Sequence, residues 1–167
     1  MEEKLQEAIE FATEAHGDQK RKYTGEPYIT HPIAVMEIVR EVPHTEEMLM
    51  AAVLHDTVED TQVTIEDIKT KFGTKVAELV DGLTDVSRPE HGNRKTRKAL
   101  DRAHLAKQNA EVQTIKLADL IHNTMSIGLY DPHFYKVYKE EKIKILDVLK
   151  LGNQTLMHRA QQQVGGG

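Results

Sequence analysis

No cysteine occurs in the 167 residues. That excludes disulfides, thiolate zinc sites and cysteine nucleophiles, and leaves histidine and carboxylate side chains as the metal donors. Positive charge is not in excess either, with 22 Lys and Arg against 27 Asp and Glu and a formal net charge of −5. A duplex binder draws most of its affinity from neutralising phosphates, so this balance argues against a nucleic-acid partner. No apolar run approaches the roughly 18 residues of a membrane span. Met1-Glu2-Glu3-Lys4 also lacks the basic start and apolar stretch of a signal peptide. The expected location is the cytoplasm, with no membrane partner. Internal repeats, low-complexity tracts and internal linkers are absent too, so the length predicts a single domain over residues 1–163 and a flexible tail at 164–167.

What is present reads as helix almost throughout. Leu5, Ala8, Ile9, Ala12, Ala15 and His16 fall on one face, as do Val35, Ile38, Val39 and Val42. These periods predict helices at about 3–17, 32–42, 45–58, 64–72, 73–87, 93–108, 110–128 and 132–162, the last with a break near Gly152. Thr30-His31-Pro32 places a capping residue and a proline where a helix opens. Thr64-Ile65-Glu66-Asp67 puts acids in a first turn, beside the positive end of the helix dipole. Pro27-Tyr28-Ile29-Thr30 is the candidate for a short extended piece. The fold class is all-α, a bundle of about eight helices.

Two of these helices are too apolar for a surface, Met48–Leu54 and Thr114–Ile121. The first runs into His55-Asp56, with Asp56 on the stripe of Leu49, Ala52 and Val53, and the second carries Asp119 on the stripe of Val112 and Ile115. Burying a charge alone is so costly that such groups pair, neutralise or bind metal. Glu59 stands four residues beyond His55, and Asp60 four beyond Asp56, one helical turn above each. His31 opens its helix ahead of Pro32, from where its ring can complete a site of two His and two Asp. A mixed nitrogen and oxygen set suits Mn²⁺, Fe²⁺ or Mg²⁺. Each residue also has an ordinary role open to it: His31 as a cap, Asp119 as a partner of Lys116, Glu59-Asp60 as an acidic helix end. Of the nine histidines, His16, His44, His91, His104, His133 and His158 read as structural or exposed, and His122 is ambiguous.

The cations cluster as Lys20-Arg21-Lys22 and as Arg88, Arg94, Lys95, Arg97, Lys98 and Arg102. Two such clusters on an acidic chain suit a small phosphorylated ligand. Pro89-Glu90-His91-Gly92-Asn93 reads as a loop entering a helix, and a helix start favours an anion. Arg94 and Arg97 are therefore expected phosphate contacts, the alternative being an exposed basic helix face.

The strings Arg21–Pro32, Leu54–Asp60 and Lys116–Asn123 together resemble the RelA/SpoT-type hydrolase domain of the HD superfamily, and the likeness covers most of residues 15–128. The resemblance implies an HD-domain bundle and a single-domain small alarmone hydrolase with one Mn²⁺ held by His31, His55, Asp56 and Asp119. It implies that Glu59 and Asp60 handle water activation and proton transfer, that Arg21 and Lys22 line the nucleotide pocket, and that Asn123 and Ser126 contact the nucleoside. The implied reaction is removal of the 3′-pyrophosphate of a (p)ppGpp-type nucleotide. Leu120 and Met125 stand where the family's third motif has arginine, and the first motif is one residue longer between Lys22 and Gly25. Adenine-type alarmones such as (pp)pApp, and the 2′-phosphate of NADPH, therefore stay open as substrates. A non-catalytic nucleotide-binding module is the alternative from another class.

Overall fold

The computed structural model describes residues 2–165, with Glu2 in its backbone only. Among these residues the chain forms ten α-helices and one 3₁₀ turn, and its β-structure is a lone bridge between Lys20 and Pro27. The chain divides into two compact units, residues up to Thr84 and residues from Asp85. No helix among the described residues is long and apolar enough to cross a membrane.

The first unit holds α1 (Glu2–His16), α2 (Thr30–Arg40), α3 (Glu46–Leu54), α4 (Thr57–Asp60), α5 (Ile65–Phe72) and α6 (Thr74–Leu83). Helix α3 is its centre: every residue from Met48 to Leu54 is buried, and α1, α2 and α6 all pack against it. Thr45 starts it by accepting the Met48 N–H. Thr64 and Asp67 form a reciprocal capping box on α5. Gly73 at φ 98° then turns the chain directly from α5 into α6, a conformation that a side chain would strain.

The single helix expected over 45–58 is broken at His55-Asp56. The His55 ring donates to the Ala52 carbonyl at 2.6 Å and the Thr57 hydroxyl to the Leu54 carbonyl at 2.8 Å. Side chains thus take up acceptors that the next backbone N–H groups would have used. The chain resumes as α4, whose first full bond runs from the Asp60 N–H to the Asp56 carbonyl.

The second unit holds the 3₁₀ turn Pro89–His91, then α7 (Arg94–Ala106), α8 (Ala110–Tyr130), α9 (Pro132–Leu146) and α10 (Gln154–Gln163). Asn93, Asn109, Asp131 and Asn153 each cap the helix that follows them. Helix α8 packs on α9 and α10, and α7 on α9. Asp101 accepts from the Val86 and Ser87 amides and the Ser87 hydroxyl, so α7 holds the segment that precedes it. The break near Gly152 is present, and α8 explains it. Leu151 N–H donates to Gln113 Oε1 and Asn153 N–H to Thr114 Oγ1, while a Cβ on Gly152 would lie 2.6 Å from Leu117 Cδ1. Val164 is buried behind α10. Gly165 is exposed, and Gly166 and Gly167, the remainder of the expected tail, lie outside the described residues.

Lys142 is the unusual core residue of this unit. Its side chain is fully buried, and among the described residues its ammonium donates only to neutral oxygens, Thr124 Oγ1 at 2.7 Å and Gln163 Oε1 at 2.8 Å. Burial pulls its pKa down from 10.5 to about 8. Below about pH 8 both folded and unfolded chains carry the proton, and the folded state bears the full cost of the buried charge. Between about 8 and 10.5 the folded state sheds the proton first, so stability rises with pH through that window. Lys142→Met is expected to stabilise the protein at pH 7 by a few kcal/mol at most, on the order of one to three. That advantage should shrink toward pH 10 in urea titrations. A variant less stable than its parent at every pH would mean that the two hydrogen bonds outweigh the buried charge.

Candidate metal centre

The first unit brings together His31, His55 and Asp56, whose candidate ligand atoms all lie within 4.8 Å of one another. His55 and Asp56 occupy the break between α3 and α4, fixed from behind by a fully buried helix. His31 sits in the first turn of α2, where the missing N–H of Pro32 costs nothing. Ile29, not Thr30, takes the capping position there, and the Thr30 hydroxyl instead donates to the Pro27 carbonyl. The imidazoles are 1% and 5% exposed and the Asp56 side chain 16%.

The donors are oriented as a cation would require. The Nδ1–H of His55 is committed to the Ala52 carbonyl, which leaves Nε2 as the lone-pair nitrogen, 3.1 Å from Asp56 Oδ2. His31 Nε2 lies 3.8 Å from the same oxygen. Two imidazole nitrogens and one carboxylate in this arrangement fit a divalent metal of borderline hardness. The Tyr28 hydroxyl donates to Asp56 Oδ2 at 2.6 Å.

Glu59 and Asp60 lie on α4, one turn beyond the ligands. Asp60 keeps much of its surface open, yet partial burial raises its carboxyl above the usual range, helped by the Asp56 charge. His16, His55 and a hydrogen bond to Tyr28 pull the other way. Asp60 also lines a cavity of about 810 Å³ with Phe11, Ala15, Gln62 and Lys71. Arg21 and Lys22 lie in the loop before α2, which is closed by bonds between Arg21 and Glu26 and from Gly25 to Arg21. Lys22 stands over the Tyr23 ring.

In the second unit, Asp119 is buried on α8, its Oδ2 3.0 Å from Lys116 Nζ and its Oδ1 accepting from Asn123. Ser126 is half-buried three residues further along the same helix. Arg94 is not an open cation: its guanidinium makes two bonds to Glu141, at 2.7 and 3.0 Å. Burial would raise the Glu141 carboxyl, but the Arg94 bonds and the Lys98, Arg94 and Arg102 charges outweigh it and hold it low. These residues line a cavity of about 410 Å³ between α7 and α9. Arg97 is half-buried, with its Nε buried and without a hydrogen-bond partner among the described residues.

Residues 8–147 match the family described as HD domain. The chain belongs to that family. Among relatives, it is 37% identical over 143 residues to a guanosine-3′,5′-bis(diphosphate) 3′-pyrophosphohydrolase of Aquifex aeolicus, covering 86% of this chain and 20% of that protein. It is 38% identical over 149 residues to the bifunctional (p)ppGpp synthase/hydrolase SpoT of Escherichia coli K12, covering 87% and 21%. The chain thus spans about a fifth of the length of these curated relatives. A solved structure titled as a metazoan ortholog of SpoT that hydrolyzes ppGpp superposes with a TM-score of 0.87 at 31% identity, covering 98% of this chain and 94% of that one.

Two residues of this HD domain had no role assigned from sequence. Tyr28 was visible only as part of a motif, and what singles it out is its hydroxyl on a candidate ligand. His16, read as structural or exposed, is buried against the Tyr28 ring with centroids 4.6 Å apart. Its place on the apolar face of α1 signalled the burial, though not the neighbour.

Proposed function

We propose that this chain is a metal-dependent phosphohydrolase that removes the 3′-pyrophosphate of (p)ppGpp-type nucleotides, with Mn²⁺ as the metal. The observation that carries the reading is the convergence of His31, His55 and Asp56 beside a carboxyl of raised pKa at Asp60. The names of its relatives support the substrate class. A divalent cation held by these three residues would lower the pKa of water and offset charge developing on phosphoryl oxygens. Asp119 enters as a further ligand on the sequence match alone.

The chain's own residues do the rest. The Ala52 carbonyl holds the His55 tautomer, and the Tyr28 hydroxyl holds the Asp56 carboxylate. Asp60 accepts the proton of the attacking water and returns it to the leaving 3′ oxygen, with Glu59 as its neighbour in orienting that water. Arg21 and Lys22 take the nucleotide side, Asn123 and Ser126 the nucleoside, and Arg94 and Arg97 the phosphates. Arg94 reaches phosphate only by exchanging its partner Glu141.

Incubation of Mn²⁺-loaded protein with ppGpp, ppApp and NADPH, followed by product separation, tests the reading. Pyrophosphate release from ppGpp is expected. Release confined to ppApp, or phosphate from NADPH alone, would move the substrate to that nucleotide. Binding of all three without product would favour a non-catalytic module.

A further inference from the structure

We propose that the groove between α7 and α9 is a binding site for a pyrophosphoryl group, held by Lys98, Arg102 and Lys144 together with Arg94, and that Glu141 is its built-in competitor. The inference rests on the assignment of Arg94 to phosphate given above and on no part of the metal centre.

The cavity of about 410 Å³ lies wholly in the second unit. Arg94, Lys95, Lys98 and Arg102 line it from α7 and Lys144 from α9, against the carboxylates of Glu140 and Glu141. Five cations against two acids leave an excess of three positive charges, in a chain whose net charge is −5. Among the described residues, Arg94 alone of the five makes an ion pair, with Glu141 at 2.7 Å. Lys98 and Arg102 are half-buried, so they lose part of their hydration and gain no partner in its place. A solvated helix face accounts for exposed lysines such as Lys95. It does not account for half-buried cations gathered around one carboxylate.

That gathering is visible at Glu141. Its carboxylate takes two guanidinium bonds from Arg94, at 2.7 and 3.0 Å, and the charges of Lys98 and Arg102 reach it as well. One carboxylate thus stands among three cations. A guanidinium fork pairs in the same way with carboxylate and with phosphate, so Glu141 marks a position that a phosphoryl group can take. The Arg94 guanidinium also lies over the Phe134 ring, 5.4 Å from its centroid, which holds its direction. The start of α7 points the same way. A first turn favours acids because of the helix dipole, yet α7 opens on Arg94 and Lys95 and has no acid there. Cations at that end destabilise the helix unless an anion lies beside them, and such local conflicts gather at functional sites.

Spacing selects the ligand. Arg94, Lys98 and Arg102 recur every fourth residue on one face of α7, over roughly 12 Å of helix at about 1.5 Å per residue. One phosphate meets only part of that row, whereas two linked phosphoryl groups bridge more of it and carry charge enough for the excess of three. A concavity of this size between two helices takes a small ligand rather than a protein surface. The group comes in two forms, free pyrophosphate and the diphosphate end of a nucleotide.

Titration calorimetry of inorganic pyrophosphate into the metal-free protein at low salt tests the proposal. One-to-one binding is expected. Lys98→Gln and Arg102→Gln should each weaken it about tenfold, since each removes a charge-assisted hydrogen bond. Glu141→Gln should tighten it several-fold, by removing a like charge and releasing Arg94. Inorganic phosphate should bind more weakly than pyrophosphate. Absence of binding, unchanged affinity in both cation variants, weaker binding in Glu141→Gln, or equal affinity for phosphate and pyrophosphate would overturn the proposal. GDP titrated in parallel separates the two sources: tighter binding than pyrophosphate supports the nucleotide form, and weaker binding the free anion. With metal absent, the outcome is independent of turnover. Pyrophosphate binding without hydrolysis of ppGpp by the loaded protein would sink the substrate reading alone, and hydrolysis without this binding would sink the groove alone.

Discussion

Asp56→Ala is expected to leave the protein folded but without bound metal and without turnover. The substitution removes the one carboxylate of the cluster in the first unit and leaves two imidazoles, a far weaker set for a divalent cation. It also removes the Asp56 oxygen that accepts from the Tyr28 hydroxyl at 2.6 Å. Loss of a supporting hydrogen bond to a ligand typically costs about 10–100-fold in affinity, so loss of the ligand itself should exceed the upper end of that range. Tyr28→Phe provides the graded comparison, with a loss inside that range. Metal content after dialysis and the rate of pyrophosphate release measure both variants. Stoichiometric metal in Asp56→Ala would remove Asp56 from the ligand set.

The double variant Glu59→Gln, Asp60→Asn is expected to lose about 10²–10⁴-fold in kcat while keeping metal and nucleotide affinity. Amides preserve the shape of the side chains and cannot carry the proton. Metal loss in this variant would recast the pair as supports of the ligands. Asp60 adds a signed expectation. Its folded carboxyl titrates above the unfolded value of 3.8, so the folded state binds the proton more tightly through that window. Stability therefore falls as pH rises from the unfolded value through the folded one. Above the window Asp60→Asn should gain stability in the metal-free protein as it loses activity in the loaded one. Urea midpoints at pH 7 that fall together with kcat would contradict that trade.

Much of this was legible in the chain itself. The wholly apolar stretches became the buried α3 and the buried middle of α8, and the eight expected helices became ten because two of the spans each divide. The division near Gly152 could be read from a glycine. The one at His55-Asp56 could not, since hydrophobic period does not report which side chain claims a carbonyl. Lys116 beside Asp119 was in reach, three residues apart. Arg94 with Glu141 was not, because the pair joins residues 47 apart and nothing local selects the partner. Lys142 sits among Lys139, Glu140, Glu141 and Lys144 and looks like any surface lysine. Its burial is a property of the packing of α9, not of the local pattern.

The break between α3 and α4 divides the candidate centre by mobility as well as by geometry. Amides of Ala51 to Leu54 lie inside a helix buried on every side, and their exchange with solvent deuterium should require opening of the whole first unit. Glu59 and Asp60 lie at the exposed end of a four-residue helix, whose amides should exchange through local fraying. His55 and Asp56 would thus directly follow its slowest-exchanging segment, and the proton carriers would ride on one of its fastest.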